Sequence, residues 1–157
     1  MHMNVRVERK DAFTVAGISM EASHASNFGK LWDELFGTVP YEHLQQFGSG
    51  QSFGVCYDMQ ENGHFRYMAG FDADNHPWAK ELERLPVPEA EYAVLELNGP
   101  VPQCIMDGWA YLRDTYFPEH GLRHAGTPDF EAYAEGDMSA PDYRMELWVP
   151  VEKAADS

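Results

Sequence analysis

The sequence is poor in basic residues. Its 11 lysines and arginines stand against 26 aspartates and glutamates, which gives a formal net charge of −15. A field of this sign repels phosphate backbones, so we expect no direct binding of nucleic acid. It attracts cations, although many acidic proteins owe their charge to solubility alone.

Long apolar runs and cysteines are also scarce. Residues 1–13, MHMNVRVERKDAF, contain no apolar segment of a signal peptide, and no run is long enough to span a bilayer. We therefore expect a cytoplasmic protein without membrane contact. Cys56 and Cys104 are expected to be free thiols. A helix start near Cys104 would lower the pKa of its thiol, but a buried, inert thiol is the simpler expectation.

Motifs for metals and nucleotides are weak. His120 and His124 are four residues apart, but a glycine separates them and no third ligand is evident, so no metal site is expected. The glycine-rich stretch GSGQSFG (48–54) leads into a strand and lacks the lysine of a phosphate-binding loop. We therefore expect no cofactor.

The first half of the chain is predicted to contain a strand, a helix and a hairpin. β-branched and aromatic residues predict a strand over 11–22, and apolar residues at helical spacing predict a helix over 26–37. The Asn62-Gly63 pair lies between two apolar runs, which predicts a β-hairpin over 52–72.

The second half repeats this order. A strand is predicted over 91–99, a helix over 101–121, and two strands over 129–136 and 142–151. The apolar stripe expected to be buried on this helix is Ile105, Trp109, Leu112 and Tyr116. The segment 74–90 is rich in proline and charge, which predicts a linker with one short helix.

The order strand–helix–strand–strand thus occurs twice, and Trp32 and Trp109 occupy corresponding positions on the two helices. We predict an α+β fold of tandem strand–helix–strand–strand modules with pseudo-two-fold duplication and antiparallel sheets. One domain would cover residues 1–157, with internal repeats at 4–73 and 91–151. Two unrelated α+β halves would also look alike at this level.

The two C-terminal strands alternate between apolar and polar residues. Glu146 and Trp148 share one face of the last strand, and Glu131 and Tyr133 share one face of the strand before it. If the strands pair, we expect these two faces to lie side by side. A solvated sheet face would show the same alternation. An aromatic wall that contains carboxylates would instead bind a cation, and burial would raise the pKa of the glutamate.

The motifs YAVLELNGPVP, DFEAY and YRMELWVPV, in this order and spacing, resemble the GyrI-like effector-binding domain family. This family includes gyrase-inhibitory proteins and the ligand-binding parts of AraC-type and other multidrug-responsive transcription regulators. The resemblance covers essentially the whole chain and is strongest over 91–151. It implies the tandem fold and the binding of bulky cationic or amphipathic small molecules in an aromatic, glutamate-containing cleft between the modules.

The resemblance also implies which side chains bind the ligand. Carried over by position, or expected to close the pocket, they are Glu131, Tyr133, Glu146, Trp148, Trp109, Trp32, Tyr57 and Tyr67. Which of the two glutamates dominates is left open. The first strand begins almost at once, so we expect no helix-turn-helix segment and a resemblance to the stand-alone members, which sense or sequester drugs and toxins.

Two alternatives stay open beside binding. Some stand-alone members hydrolyse strained, cyclopropane-containing toxins, in which case Glu146 would activate water and Tyr133 would assist. Others protect gyrase, and an acidic surface can mimic the charge of DNA, so a topoisomerase or a regulator is a candidate protein partner. We expect binding rather than catalysis.

Overall fold

The structure is a computed structural model. It describes residues 4–22, 28–38, 52–58, 60, 63–72, 82–101, 103–133 and 139–154. The chain divides into two compact units. Unit 1 combines Met1–Asp11 with Glu89–Ser157, and unit 2 is Ala12–Pro88.

The predicted strands and helices occur in the predicted order, together with three strands that were not predicted. The described strands and helices are β1 (Val5–Lys10), β2 (Phe13–Ala22), α1 (Phe28–Thr38), β3 (Ser52–Tyr57), β4 (Phe65–Asp72), β5 (Glu83–Val87), β6 (Ala90–Asn98), α2 (Gln103–Tyr111), α3 (Phe117–His120), β7 (Leu122–His124), β8 (Asp129–Tyr133) and β9 (Arg144–Lys153). The strands that were not predicted are β1, β5 and β7. A π-helical segment, Leu112–Tyr116, joins α2 to α3. In the described parts of the chain, no helix is long and apolar enough to cross a membrane.

Unit 2 is an antiparallel sheet in the order β3-β4-β2-β5, with α1 packed on one face. Leu31 and Leu35 are one helical turn apart and both are buried in the core of this unit. The predicted hairpin is confirmed as β3 and β4. Its turn is closed by the Gly63 N–H, which donates to the Gln60 carbonyl at 3.0 Å. Gly63 has a φ of +86°, which glycine adopts without strain.

Unit 1 is an antiparallel sheet in the order β1-β6-β9-β8, and β7 pairs with the far end of β9. The helix α2 approaches β6 closely because Gly108 has no side chain. A Cβ at this position would lie 2.6 Å from Leu97 Cδ2. We call the face of the unit 1 sheet that carries Leu97 and α2 the helix side.

The residues that α2 and the π-helical segment bury differ from the predicted stripe. Cys104, Gly108 and Leu112 are buried, whereas the other members of the predicted stripe, Ile105, Trp109 and Tyr116, are only partly buried. The prediction assigned the buried positions to the large apolar residues. The helix instead contacts the sheet through its small residues, and the larger side chains lie at the margins of the contact.

The two units share one topology, which confirms the α+β class and the repeated antiparallel modules. In each sheet the last strand of the module is central, between the first strand and the one before the last, and an additional strand flanks the first. The additional strand of unit 1 is β1 and that of unit 2 is β5. The described part of the predicted linker therefore contains a strand. Pro86 fits there because β5 is the last strand in the order of its sheet; residues 74–81 lie outside the described residues.

Candidate functional site

The register between β8 and β9 separates the two predicted glutamates. Phe130 lies opposite Trp148, and Glu131 lies opposite Leu147. Directly opposed residues project from the same face, and Leu147 in turn lies opposite Leu95, two residues before Leu97 on β6. Glu131 therefore projects with Leu147 on the helix side. Trp148 and Glu146 project from the other face. The prediction that Glu131 and Glu146 lie side by side is therefore wrong, because the alternation within each strand does not determine how the two strands are aligned.

Glu131 is a carboxyl group on the helix side whose pKa is strongly perturbed. It is partly buried, and burial raises the pKa of its side chain to about 7 from an ordinary value of 4.5. The Tyr133 hydroxyl donates a hydrogen bond to the Glu131 carboxylate and opposes the rise in pKa. The negative charge of Asp129, two residues away on the same face, adds to that rise.

Glu131 has no positively charged partner in the part of the chain that the structure describes. The ion pairs there involve other carboxylates, among them Glu146 and Glu152. The negative charge of Glu131 also acts on a residue of α2. The pKa of the Cys104 thiol is raised chiefly by burial and additionally by Glu131. The expectation of a buried thiol is thus confirmed, and the lowered pKa suggested by the helix start is not found.

A histidine–aspartate pair lies next to Glu131. His124 Nε2 is 3.0 Å from Asp129 Oδ2, and the Gly126 N–H donates to His124 Nδ1 at 2.9 Å. Because Nδ1 accepts, Nε2 carries the proton and donates to Asp129. The imidazole stacks on Trp109, with ring centroids 6.5 Å apart and an interplanar angle of 12°.

We call Trp109, His124, Asp129, Glu131 and Tyr133 the helix-side site. The sequence analysis found Trp109, Glu131 and Tyr133 but missed the pair formed by His124 and Asp129. Asp129 was detectable, since it lies two residues before Glu131 and therefore on the same strand face. His124 was not, because β7 is a short strand that no alternation pattern marked.

The opposite face of the unit 1 sheet carries an aromatic cluster around Trp148. Its ring stacks on Phe130 at 5.5 Å, and Tyr92 meets it edge-on at 5.5 Å. Glu146 accepts a hydrogen bond from the Trp148 indole at 3.1 Å and pairs with Arg6 at 3.1 Å. Glu146 therefore already has both a hydrogen-bond donor and a positively charged partner.

The remaining predicted residues lie in unit 2. The Trp32 indole donates to the Tyr67 hydroxyl at 3.1 Å on the face that α1 covers, and Tyr67 is buried. Tyr57 lies opposite Arg66 on the other face of that sheet and hydrogen-bonds to it. Within the described residues, no three histidine, cysteine or acidic side chains are grouped as a metal site would require.

The family of the chain follows from a family model. The model of the GyrI-like small-molecule-binding domain matches residues 3–152, so the chain belongs to this family. A curated relative is the transcriptional regulator BrlR of Pseudomonas aeruginosa, which is 29% identical over 157 residues. The match covers 96% of this chain and 56% of the regulator, so the chain spans about half the length of this relative.

Solved structures show the same fold at low sequence identity. The protein SAV2435 bound to tetraphenylphosphonium has a TM-score of 0.79 at 20% identity, and the match covers 96% of this chain and 94% of that one. A transcription complex of EcmrR with DNA has a TM-score of 0.69 at 13% identity, over 97% of this chain and 58% of that one. Because a DNA-bound regulator is among these structures, the expected absence of nucleic-acid binding stays a prediction, as does cytoplasmic localisation.

Proposed function

We propose that this chain, as a GyrI-like small-molecule-binding domain, binds bulky organic cations and that Glu131 supplies the negative charge that they meet. The observation that carries the proposal is the state of the Glu131 carboxyl group. It is partly buried, its pKa is raised to about 7, and no cation within the described residues pairs with it. A buried carboxylate without a counter-charge is costly, and a cationic ligand would remove that cost.

The other members of the helix-side site support this role. Tyr133 holds the Glu131 carboxylate through its hydroxyl group. Trp109 is partly buried and parallel to the His124 ring, so it offers a flat surface to an aromatic ligand. Asp129 is engaged by His124, which leaves Glu131 as the carboxylate to meet a ligand.

Glu146 is less suited to this role than Glu131. Arg6 already neutralises its charge at 3.1 Å, and the Trp148 indole occupies its other oxygen. A cation that bound there would have to displace a guanidinium group. Glu146 is therefore the matched control, since it is also a partly buried glutamate that precedes an aromatic residue by two positions.

The test is a calorimetric titration with tetraphenylphosphonium, the ligand of the SAV2435 structure. Glu131→Gln is expected to weaken binding by about 1–3 kcal/mol, because a desolvated charge pair is lost. Glu146→Gln is expected to leave the dissociation constant within about twofold. Tetraphenylborate, of nearly the same shape and opposite charge, should not bind the unmodified protein. Equal losses in both variants, or equal binding of the two ions, would contradict the proposal.

Hydrolysis is a second candidate function, and the geometry supports a different pair of residues for it. Glu146 and Tyr133, the pair first assigned, project from opposite faces of the sheet. Glu131 and Tyr133 are hydrogen-bonded, and a carboxyl pKa of about 7 suits a general base. The test is the consumption of a cyclopropane-containing electrophile, which must be faster with the protein and slow in Glu131→Gln. Consumption at the uncatalysed rate would remove this candidate.

The cation site would serve a biological role in the cell. Sensing or sequestration of drugs and toxins fits the family, and a topoisomerase or regulator partner stays a prediction. A pull-down with purified gyrase, in the presence and absence of tetraphenylphosphonium, tests the partner. Retention of gyrase would support it, and failure to retain gyrase under either condition would count against it.

A further inference from the structure

A groove of about 430 Å³ lies in unit 1 between the start of β1 and the helical segment that follows α2. Its lining includes Glu96 on β6, Tyr111 at the end of α2, Tyr116 at the end of the π-helical segment, and Glu119 and His120 on α3. None of these residues belongs to the helix-side site. The groove is therefore a separate concave surface.

The π-helical segment places two tyrosines in this groove. In an α-helix, residues five apart point about 140° away from each other, since each residue turns the chain by about 100°. The π-helical turn at Leu112–Tyr116 inserts one residue and corrects most of this difference. Tyr111 and Tyr116 both line the groove as a result. A tyrosine hydroxyl is neutral near pH 7, and burial together with the neighbouring Tyr111 raises the pKa of Tyr116 further above that pH.

The aromatic wall is extended by His120. Its ring stacks on Tyr116, with centroids 4.0 Å apart and an interplanar angle of 25°. His120 Nδ1 donates to the Tyr116 carbonyl at 2.9 Å, because a carbonyl can only accept. This hydrogen bond holds the imidazole over the tyrosine ring. The groove therefore presents a stacked pair of rings with a second tyrosine beside it.

The charges of the groove favour a cation. Glu119 makes no ion pair with any residue that the structure describes, and Glu96 is 4.0 Å from Arg6. Arg6 is the one fixed cation among the lining residues, and it is already engaged by Glu8 at 3.3 Å and Glu146 at 3.1 Å. Aromatic faces attract cations, and the Glu119 carboxylate supplies the counter-charge.

We propose that this groove is a second binding site, for small organic ammonium ions, which the tyrosines and His120 contact through their ring faces and Glu119 through its carboxylate. The inference does not depend on Glu131. Choline is the probe, and 3,3-dimethylbutan-1-ol, which has the same shape without the charge, is its control. Benzoate serves as an anionic control.

The test follows backbone amide signals by NMR in the full chain that carries Glu131→Gln, so that binding near Glu131 is weakened. Choline is expected to shift the amide signals of residues 111–117, 119 and 120 and of Glu96, whereas the neutral alcohol and benzoate are not expected to shift them. Tyr116→Leu should raise the dissociation constant roughly three- to thirtyfold. Glu119→Gln should raise it roughly two- to fivefold.

Asp33→Asn provides the matched charge control, since it removes an exposed carboxylate from α1 in unit 2. It should leave the choline affinity unchanged, which separates a local contact from the effect of net charge. Glu119 is exposed, so its replacement should leave the fold intact even if Tyr116→Leu does not. Equal binding of choline and the alcohol, binding of benzoate alone, or an unchanged affinity in Glu119→Gln would each overturn the proposal.

Discussion

Glu131→Gln is expected to stabilise the ligand-free protein at neutral and alkaline pH. The Glu131 carboxyl group is partly buried, and its pKa in the folded protein is raised to about 7 from 4.5. Between these two values the folded state holds a proton that the unfolded state has released. The contribution of Glu131 to stability is therefore complete below pH 4.5 and is lost as the pH rises through 7.

The size of this loss follows from the shift in pKa. One unit corresponds to 1.36 kcal/mol, so a rise from 4.5 to about 7 corresponds to roughly 3 kcal/mol. Water reaches part of the side chain and reduces this value, so we expect roughly 2 kcal/mol. Glutamine accepts the Tyr133 hydrogen bond but never ionises. Its advantage over glutamate should therefore grow by this amount between pH 4.5 and pH 8.

The assay is urea denaturation of both proteins at several pH values between 4.5 and 8. Tyr133→Phe is the informative second variant, because it removes the hydrogen bond that lowers the pKa of Glu131. The pH range over which stability is lost should then move upward. A difference between Glu131→Gln and the unmodified protein that does not vary with pH would refute the reasoning.

Two further predictions concern packing and thiol chemistry. Gly17→Ala is expected to destabilise the protein by at least about 2 kcal/mol in the same assay, because the Cβ of the new alanine would overlap the Ala69 carbonyl oxygen on β4. A free energy of unfolding within about 0.5 kcal/mol of that of the unmodified protein would contradict this. Iodoacetamide is expected to modify Cys56 before Cys104, because Cys104 is buried and its thiol pKa is raised; mass spectrometry identifies the site, and earlier labelling of Cys104 would contradict the account.

The local patterns in the sequence were sufficient for the order of the repeated elements and for the duplication, but they did not predict the strands β1, β5 and β7. Periodicity marked the helices, and the Asn62-Gly63 pair marked the hairpin. The sequence patterns did not predict how β8 and β9 are aligned with each other. If the alignment of β8 with β9 shifts by one residue, every side chain of β8 changes from one face of the sheet to the other relative to β9. No local pattern determines this alignment. Glu131 and Glu146 were therefore placed on one face although they lie on two.

The sequence patterns also did not predict the charged partners of the candidate site residues. Arg6 neutralises Glu146 across strands that are far apart in the chain, and the pairing of β1 with β6 brings Arg6 there. His124 reaches Asp129 through a glycine-containing turn. Which glutamate lacks a counter-charge, and is thus the better cation site, depends on these tertiary contacts.

The central claim is that a ligand cation meets the charge of Glu131. The most direct measurement is a titration of the Glu131 side-chain carboxyl by carbon-13 NMR, with and without tetraphenylphosphonium. The account predicts a pKa of about 7 in the free protein and a fall of at least about one unit on binding, because a nearby positive charge favours the ionised form. A pKa that is unchanged when the protein is saturated with the cation would contradict it.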